Sequence, residues 1–339
     1  MSLLRWLTVL AACTPSDGPD TDGTTDQGTP TETGPTTSTT TGNGTDDTGF
    51  GRDTGHSTTP TTAPVDCANL PAAPRPFQTI AILTEEDFDF DLEGYLVYQS
   101  GSDLAGRDQY TNLTILSAGV SLDAAGIQTL ANGDIAVASP DTGSIRLVER
   151  ATGVNYQLLG GLTTPNGLES GAGDLLYFSE MFANRVRWIN VVTLETGEVI
   201  GDIGTPNGLS FSPGETTLYI AAESGGLNAI VALDRVGKGW SAPRTVISAA
   251  APFDAVETDV CGNVYTVEYS TGRLNRVDPL TGVVTLLADL DDPGFAEFSS
   301  MRWGNDIGGW LSTTLYVTNR NKIFAVDIGV AGTPDPLAP

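Results

Sequence analysis

Asn207-Gly208-Leu209-Ser210-Phe211, Thr217-Leu218-Tyr219-Ile220-Ala221, Asn228-Ala229-Ile230-Val231-Ala232-Leu233 and Arg244-Thr245-Val246-Ile247-Ser248 follow one another as four short apolar runs divided by polar and turn-forming residues. Runs of this length, rich in β-branched and aromatic residues, predict strands. The order recurs from Asp254, with Val264-Tyr265-Thr266-Val267, Arg273-Leu274-Asn275-Arg276-Val277 and Val283-Val284-Thr285-Leu286-Leu287. No stretch after the first 75 residues sustains a helical period. The pattern is that of an all-β chain built from a repeated four-stranded unit.

Working outward, the residue two before the first inward apolar side chain of each unit is Glu86, Ala125, Asn166, Asn207, Asp254 or Ser299, at intervals of 39, 41, 41, 47 and 45 residues. Four strands at a period of ~40–50 residues predict propeller blades, and six anchors predict six of them. The last unit, with Thr314-Leu315-Tyr316-Val317 and Ile323-Phe324-Ala325-Val326, lacks a fourth strand. Phe77 to Leu83 stands before the first anchor and is expected to supply it, closing the ring and removing an exposed edge. The expected organisation is a signal segment over 1–13, a disordered Thr/Gly/Asp/Pro-rich linker over 14–75, a six-bladed β-propeller over 76–330 and a tail over 331–339.

In such a blade the start of the first strand faces the central channel, so the six anchors are expected to meet at one mouth. Glu86, Asn166, Asn207 and Asp254 bring side-chain oxygens there, whereas Ala125 and Ser299 bring little. Two carboxylates and two amides suit Ca²⁺, which takes oxygen ligands; without sulfur or imidazole, zinc and copper are disfavoured. Taken singly, Thr164-Pro165-Asn166-Gly167 and Thr205-Pro206-Asn207-Gly208 read as β-turns, with Pro fixing φ and Asn-Gly accepting positive φ. Glu86 alone is part of a solvated acidic run, and Asp254 could merely cap a turn. Their shared register is what turn chemistry does not require.

Pro206-Asn207-Gly208-Leu209-Ser210-Phe211-Ser212-Pro213, followed by Leu218-Tyr219-Ile220-Ala221, resembles the regucalcin/gluconolactonase family, as do Asp254-Ala255-Val256, Asp259 and Gly262-Asn263-Val264-Tyr265. Glu86-Asp87-Phe88 is similar to the matching blade of paraoxonases. The resemblance covers roughly residues 77–328. It implies a catalytic calcium held by Glu86, Asn166, Asn207 and Asp254, with Asp254 also acting as general base toward a lactone or related ester. The family's Asp-Gly is Asp254-Ala255 here, and its second acidic residue after the fourth-blade strand becomes Ala222-Glu223. Both departures bear on substrate choice.

Composition narrows the chemistry further. The chain of 339 residues holds 42 acidic and 16 basic residues, a net charge of -26. Nucleic acid and anionic membrane surfaces are therefore poor partners. The single histidine, His56, lies in a low-complexity tract, which excludes an imidazole base or ligand in the folded domain, including the histidine pair of paraoxonases. Loops between the second and third strands carry Glu180, Glu223, Glu268, Asp141 and Asn319, with Arg185, Arg187 and Arg320 close by in sequence; Glu180 and Glu268 are the candidates for substrate contact. Leu10-Ala11-Ala12-Cys13 looks like the lipobox of bacterial lipoproteins, with Cys13 carrying the lipid; an ordinary secretory signal is the alternative. Either expectation exports the protein; the lipobox makes it a cell-envelope protein that meets the membrane only through its lipid, and a monomer is expected. In an oxidising compartment Cys67 and Cys261 are expected to pair. The competing expectation is a non-catalytic propeller, stabilised by calcium, that binds a sugar, peptide or surface partner.

Overall fold

The computed structural model describes residues 66–334 except Leu83, Thr111, Asp291, Pro293, Phe295 and Ala296. The expected signal segment, Cys13, and the linker up to residue 65 lie outside the described residues. Six antiparallel blades follow one another. Their innermost strands are Phe88–Phe90, Gly126–Thr129, Pro165–Gly171, Leu209–Phe211, Phe253–Thr258 and Ser300–Trp303. Blade four adds a short Gly239–Trp240 strand against the end of Leu227–Val236. Helical structure among the described residues is limited to the 3₁₀ turns Met181–Ala183 and Pro213–Glu215.

The apolar alternation explains where the core sits. One face of each strand buries its side chains against the next blade, giving six hydrophobic clusters, one per blade interface. Tyr177, Phe211 and Trp240 pack together between blades three and four, for example. The channel face of the innermost strands is polar. There, Asp87 accepts the Ile127 N–H at 2.8 Å and Glu169 accepts the Phe211 N–H at 3.0 Å. Carboxylates of one blade thus satisfy edge N–H groups of a neighbour that no strand pairs, which buried backbone requires.

The sixth blade closes as expected. Phe77–Ile80 pairs antiparallel with Ile323–Asp327, in register Phe77 to Val326 through Ile80 to Ile323. The strand ends at Ile80, short of the expected Leu83, because the chain turns there toward the channel, with Ile82 N–H bonded to the Ile80 carbonyl. Deleting residues 1–80 should therefore expose the edge of Ile323–Asp327 and promote aggregation, whereas deleting 1–65 should leave solubility unchanged. Equal solubility of the two truncations, read by light scattering, contradicts this closure.

Two expected boundaries shift. Residues 66–75, expected to belong to the 14–75 linker, are tied down: Cys67 forms a disulfide with Cys261, Leu70 packs on the cluster between blades five and six, and Arg75 N–H reaches the Leu287 carbonyl at 2.7 Å. One crosslink and one apolar anchor suffice to fix this polar, Pro-rich stretch. The tail also begins later than residue 331, since Gly332 bridges Asp259 and Thr333 N–H meets the Thr258 carbonyl at 2.9 Å.

Candidate functional site

The six anchors come together. Glu86, Ala125, Asn166, Asn207, Asp254 and Ser299 all line one cavity of about 20 Å³ on the channel axis, room for roughly one water-sized occupant. Local backbone aims them. Register shifts between Pro165 and Leu168 and between Phe253 and Val256 place Asn166 and Asp254 in bulges at the start of their strands, a device that redirects a side chain. Glu85, Thr164 and Thr205, each one or two residues ahead of an anchor, have left-handed φ of 55°, 50° and 37°. Such positions cost about 1–3 kcal/mol each and collect where surrounding structure enforces them.

The Asn-Gly pairs have a different reason from the one their turn chemistry suggests. Neither Gly167 nor Gly208 has a positive φ. A Cβ on Gly167 would lie 2.3 Å from the Asn207 carbonyl oxygen, and one on Gly208 would lie 2.7 Å from that of Asp254. Glycine lets adjacent innermost strands approach, so that Gly208 N–H donates to the Asp254 carbonyl at 2.9 Å. This draws neighbouring anchors together.

Asn207 Nδ2 donates to Asp254 Oδ1. Burial first, then repulsion from Asp87 and Glu297, pushes Asp254 up to about 8. The Tyr269 phenol beside it is raised by burial and by Glu297 and Asp254. Ser299 Oγ donates to the Glu86 carbonyl at 2.6 Å. The Glu86 carboxylate is paired with Arg320, whose Nη1 also meets Glu297 at 2.9 Å. Below the anchors Arg302 is largely buried in the channel, 3.0 Å from Glu257, 3.5 Å from Asp87 and 3.9 Å from Asp89. Burial pulls the Arg302 pKa down, but Asp87, Glu257, Asp89 and Glu169 together push it well above its ordinary value.

The structure does not bring Glu180 and Glu268 to this cavity. Glu180 is fully buried in blade three, bonded to Arg185 Nε at 2.8 Å, Arg187 Nη1 at 3.3 Å and Thr163 N–H at 2.8 Å. Burial raises its pKa, but the bonds from Arg185 and Thr163 outweigh that and hold the carboxyl below its usual range. Its cross-strand register with Arg185 makes it a partner within the blade. Glu268 binds the Thr271 hydroxyl at 2.7 Å in its own turn. Sequence reasoning missed Asp87, Glu297, Tyr269 and Arg302, and left Arg320 as a rim residue. Glu223 lines a second, larger groove of about 430 Å³ with Asn184, Asp202 and Thr205. Thr205 connects that groove to the chain leading into Asn207.

Could the donor set hold a metal? Among the described residues no group of three or more His, Cys, Asp and Glu side chains is arranged for an ion. The anchor ring supplies two carboxylates and two amides instead, all oxygen donors around an ion-sized space, which fits a hard cation.

No family model and no curated protein matches the chain in sequence. Its fold is shared with solved structures. A gluconolactonase from Xanthomonas campestris is 17% identical, with a TM-score of 0.62 over 74% of this chain and 89% of that one. A luciferin-regenerating enzyme is 15% identical, with a TM-score of 0.61 over 78% and 99%. A chain of a nidogen/laminin complex is 13% identical, with a TM-score of 0.59 over 69% and 89%. Enzymes and a chain of a nidogen/laminin complex share the architecture, so function must be argued from the site.

Proposed function

We propose that the protein is a calcium-dependent hydrolase of lactones or related esters, exported and lipid-anchored through Cys13. The observation that carries the site is the convergence of Glu86, Asn166, Asn207 and Asp254 on one ion-sized cavity. These four would hold Ca²⁺. Because Ca²⁺ takes 6–8 oxygen ligands, four side chains leave positions for water and substrate. The resemblance to gluconolactonases in the residues of blades four and five, together with the shared fold of a solved gluconolactonase, supports the choice of substrate class.

A bound calcium would polarise the substrate carbonyl and stabilise the charge developing on its oxygen. The chain's own residues supply the proton chemistry. Asp254 is the anchor whose carboxylate would take a proton from water as general base. The Asn207 amide N–H donates to one oxygen of that carboxylate and so helps to orient it. No imidazole in the described residues competes for this role. The groove beside Thr205 would take the polar body of a substrate, with Asn184, Asp202 and Glu223 meeting hydroxyl groups.

The small volume of the central cavity favours a second reading, a propeller in which calcium only braces the ring. Assaying the purified protein against a panel of lactones and aryl esters, with calcium and with EDTA, decides between them. Turnover that needs calcium is expected. Calcium binding without turnover on any member favours the structural ion.

A further inference from the structure

Arg320 occupies an unusual place for a cation. It lies in the loop joining Thr314–Thr318 to Ile323–Asp327 in blade six, at a left-handed φ of 67°. Its N–H donates to Thr318 Oγ1 at 2.9 Å, and that hydroxyl is bonded to Thr84 Oγ1. The loop is thereby fastened to the segment that carries Glu86. From this footing the guanidinium reaches Glu86 with one nitrogen and Glu297 with another. Its Nε–H is buried with no hydrogen-bond partner among the described residues.

We propose that Arg320 is a tethered cation that competes with calcium for Glu86 and so sets the affinity of the anchor ring; this rests on the calcium site proposed above. Glu86 and Asp254 on one small cavity need positive charge nearby, and Arg320 supplies it to Glu86. An entering Ca²⁺ takes over that carboxylate and must separate it from the guanidinium. Two features make the separation feasible. Arg320 keeps Glu297 as a second partner, on the more exposed side, since the Glu297 side chain is 54% accessible against 18% for Glu86. The unpaired Nε–H also means that the guanidinium is incompletely satisfied where it stands.

The test is isothermal titration of calcium into the full-length exported protein, wild type, Arg320→Gln and Arg320→Lys, each first treated with EDTA. An opposite charge within ~4–6 Å shifts a charged-state equilibrium by about 10-fold or more. Arg320→Gln should therefore bind calcium about tenfold more tightly than wild type, and Arg320→Lys, which cannot fork both carboxylates, should fall between. In EDTA, Arg320→Gln should melt below wild type, and calcium should erase the difference. Equal or weaker calcium affinity in Arg320→Gln overturns the proposal while leaving the calcium site intact. If that variant does not fold, unchanged or weaker affinity in Arg320→Lys does the same. If neither wild type nor variants bind calcium, the site itself fails and this inference falls with it.

Discussion

Asp254→Asn is expected to lower turnover on a lactone substrate by a factor on the order of 10² or more, the scale of losing a general base, while calcium remains bound. The substitution keeps an oxygen ligand and nearly the same size. Glu86→Gln should instead weaken metal affinity, with added calcium restoring part of the rate. The same Asp254 variant carries a stability signature. The carboxyl has an ordinary value of ~3.9 when unfolded and about 8 when folded. Between those values the folded state keeps a proton that the unfolded state has released, so this contribution is fully present below about pH 4 and lost as the pH rises to about 8. In EDTA, Asp254→Asn should gain stability over wild type as pH rises from about 5 to 8.5. Melting curves that stay parallel over that range contradict the burial assigned to Asp254, and full turnover of the variant at saturating calcium rules it out as the base.

Arg302→Met should be the most damaging single change in the channel. Asp87 and Glu257 lie within 3.5 Å of the guanidinium, and Asp89 lies at 3.9 Å. Removing one partner of a buried ion pair costs about 3–5 kcal/mol because the remaining charge is uncompensated, and here several carboxylates lose the same cation. A large fall in the urea midpoint, or insoluble expression, is the expected outcome. Glu149→Gln, a change away from the channel in the turn after Ser144–Val148, gives the reference for an ordinary carboxylate loss. A midpoint for Arg302→Met no lower than that of Glu149→Gln shows that the carboxylates are satisfied without it.

The period of the repeat and the turn residues between its runs carried the architecture, because each blade writes its own strands locally. The anchors were legible for the same reason: equal offsets in equal units land on one axis. Arg302 was present in that register too. Asp89, Glu169, Glu257 and Arg302 each follow an anchor by three residues, so continuing the alignment one step down the strands would have found the charged layer. Its residues look like solvent-facing strand positions until the ring is closed. Glycine at 167 and 208 was visible, but its reason was not, since the close approach involves the neighbouring strand. Glu180 misled because a loop-end carboxylate looks available from sequence, whereas its cross-strand register with Arg185 consumes it. Contacts of Arg320 with Glu86 and Glu297 join residues from three separate segments, which no local pattern encodes.

Whether the four oxygen-bearing anchors form one calcium site, as proposed, is tested most directly by the melting temperature of the purified protein measured against free calcium. An ion bound only by the folded state adds about 2.7 kcal/mol at a hundredfold excess over its Kd. Wild type should melt several degrees higher in calcium than in EDTA, and the rise should saturate with one ion per chain. The Glu86→Gln, Asp254→Asn double variant should lose that rise. A wild-type melting temperature indifferent to both calcium and EDTA would contradict the claim.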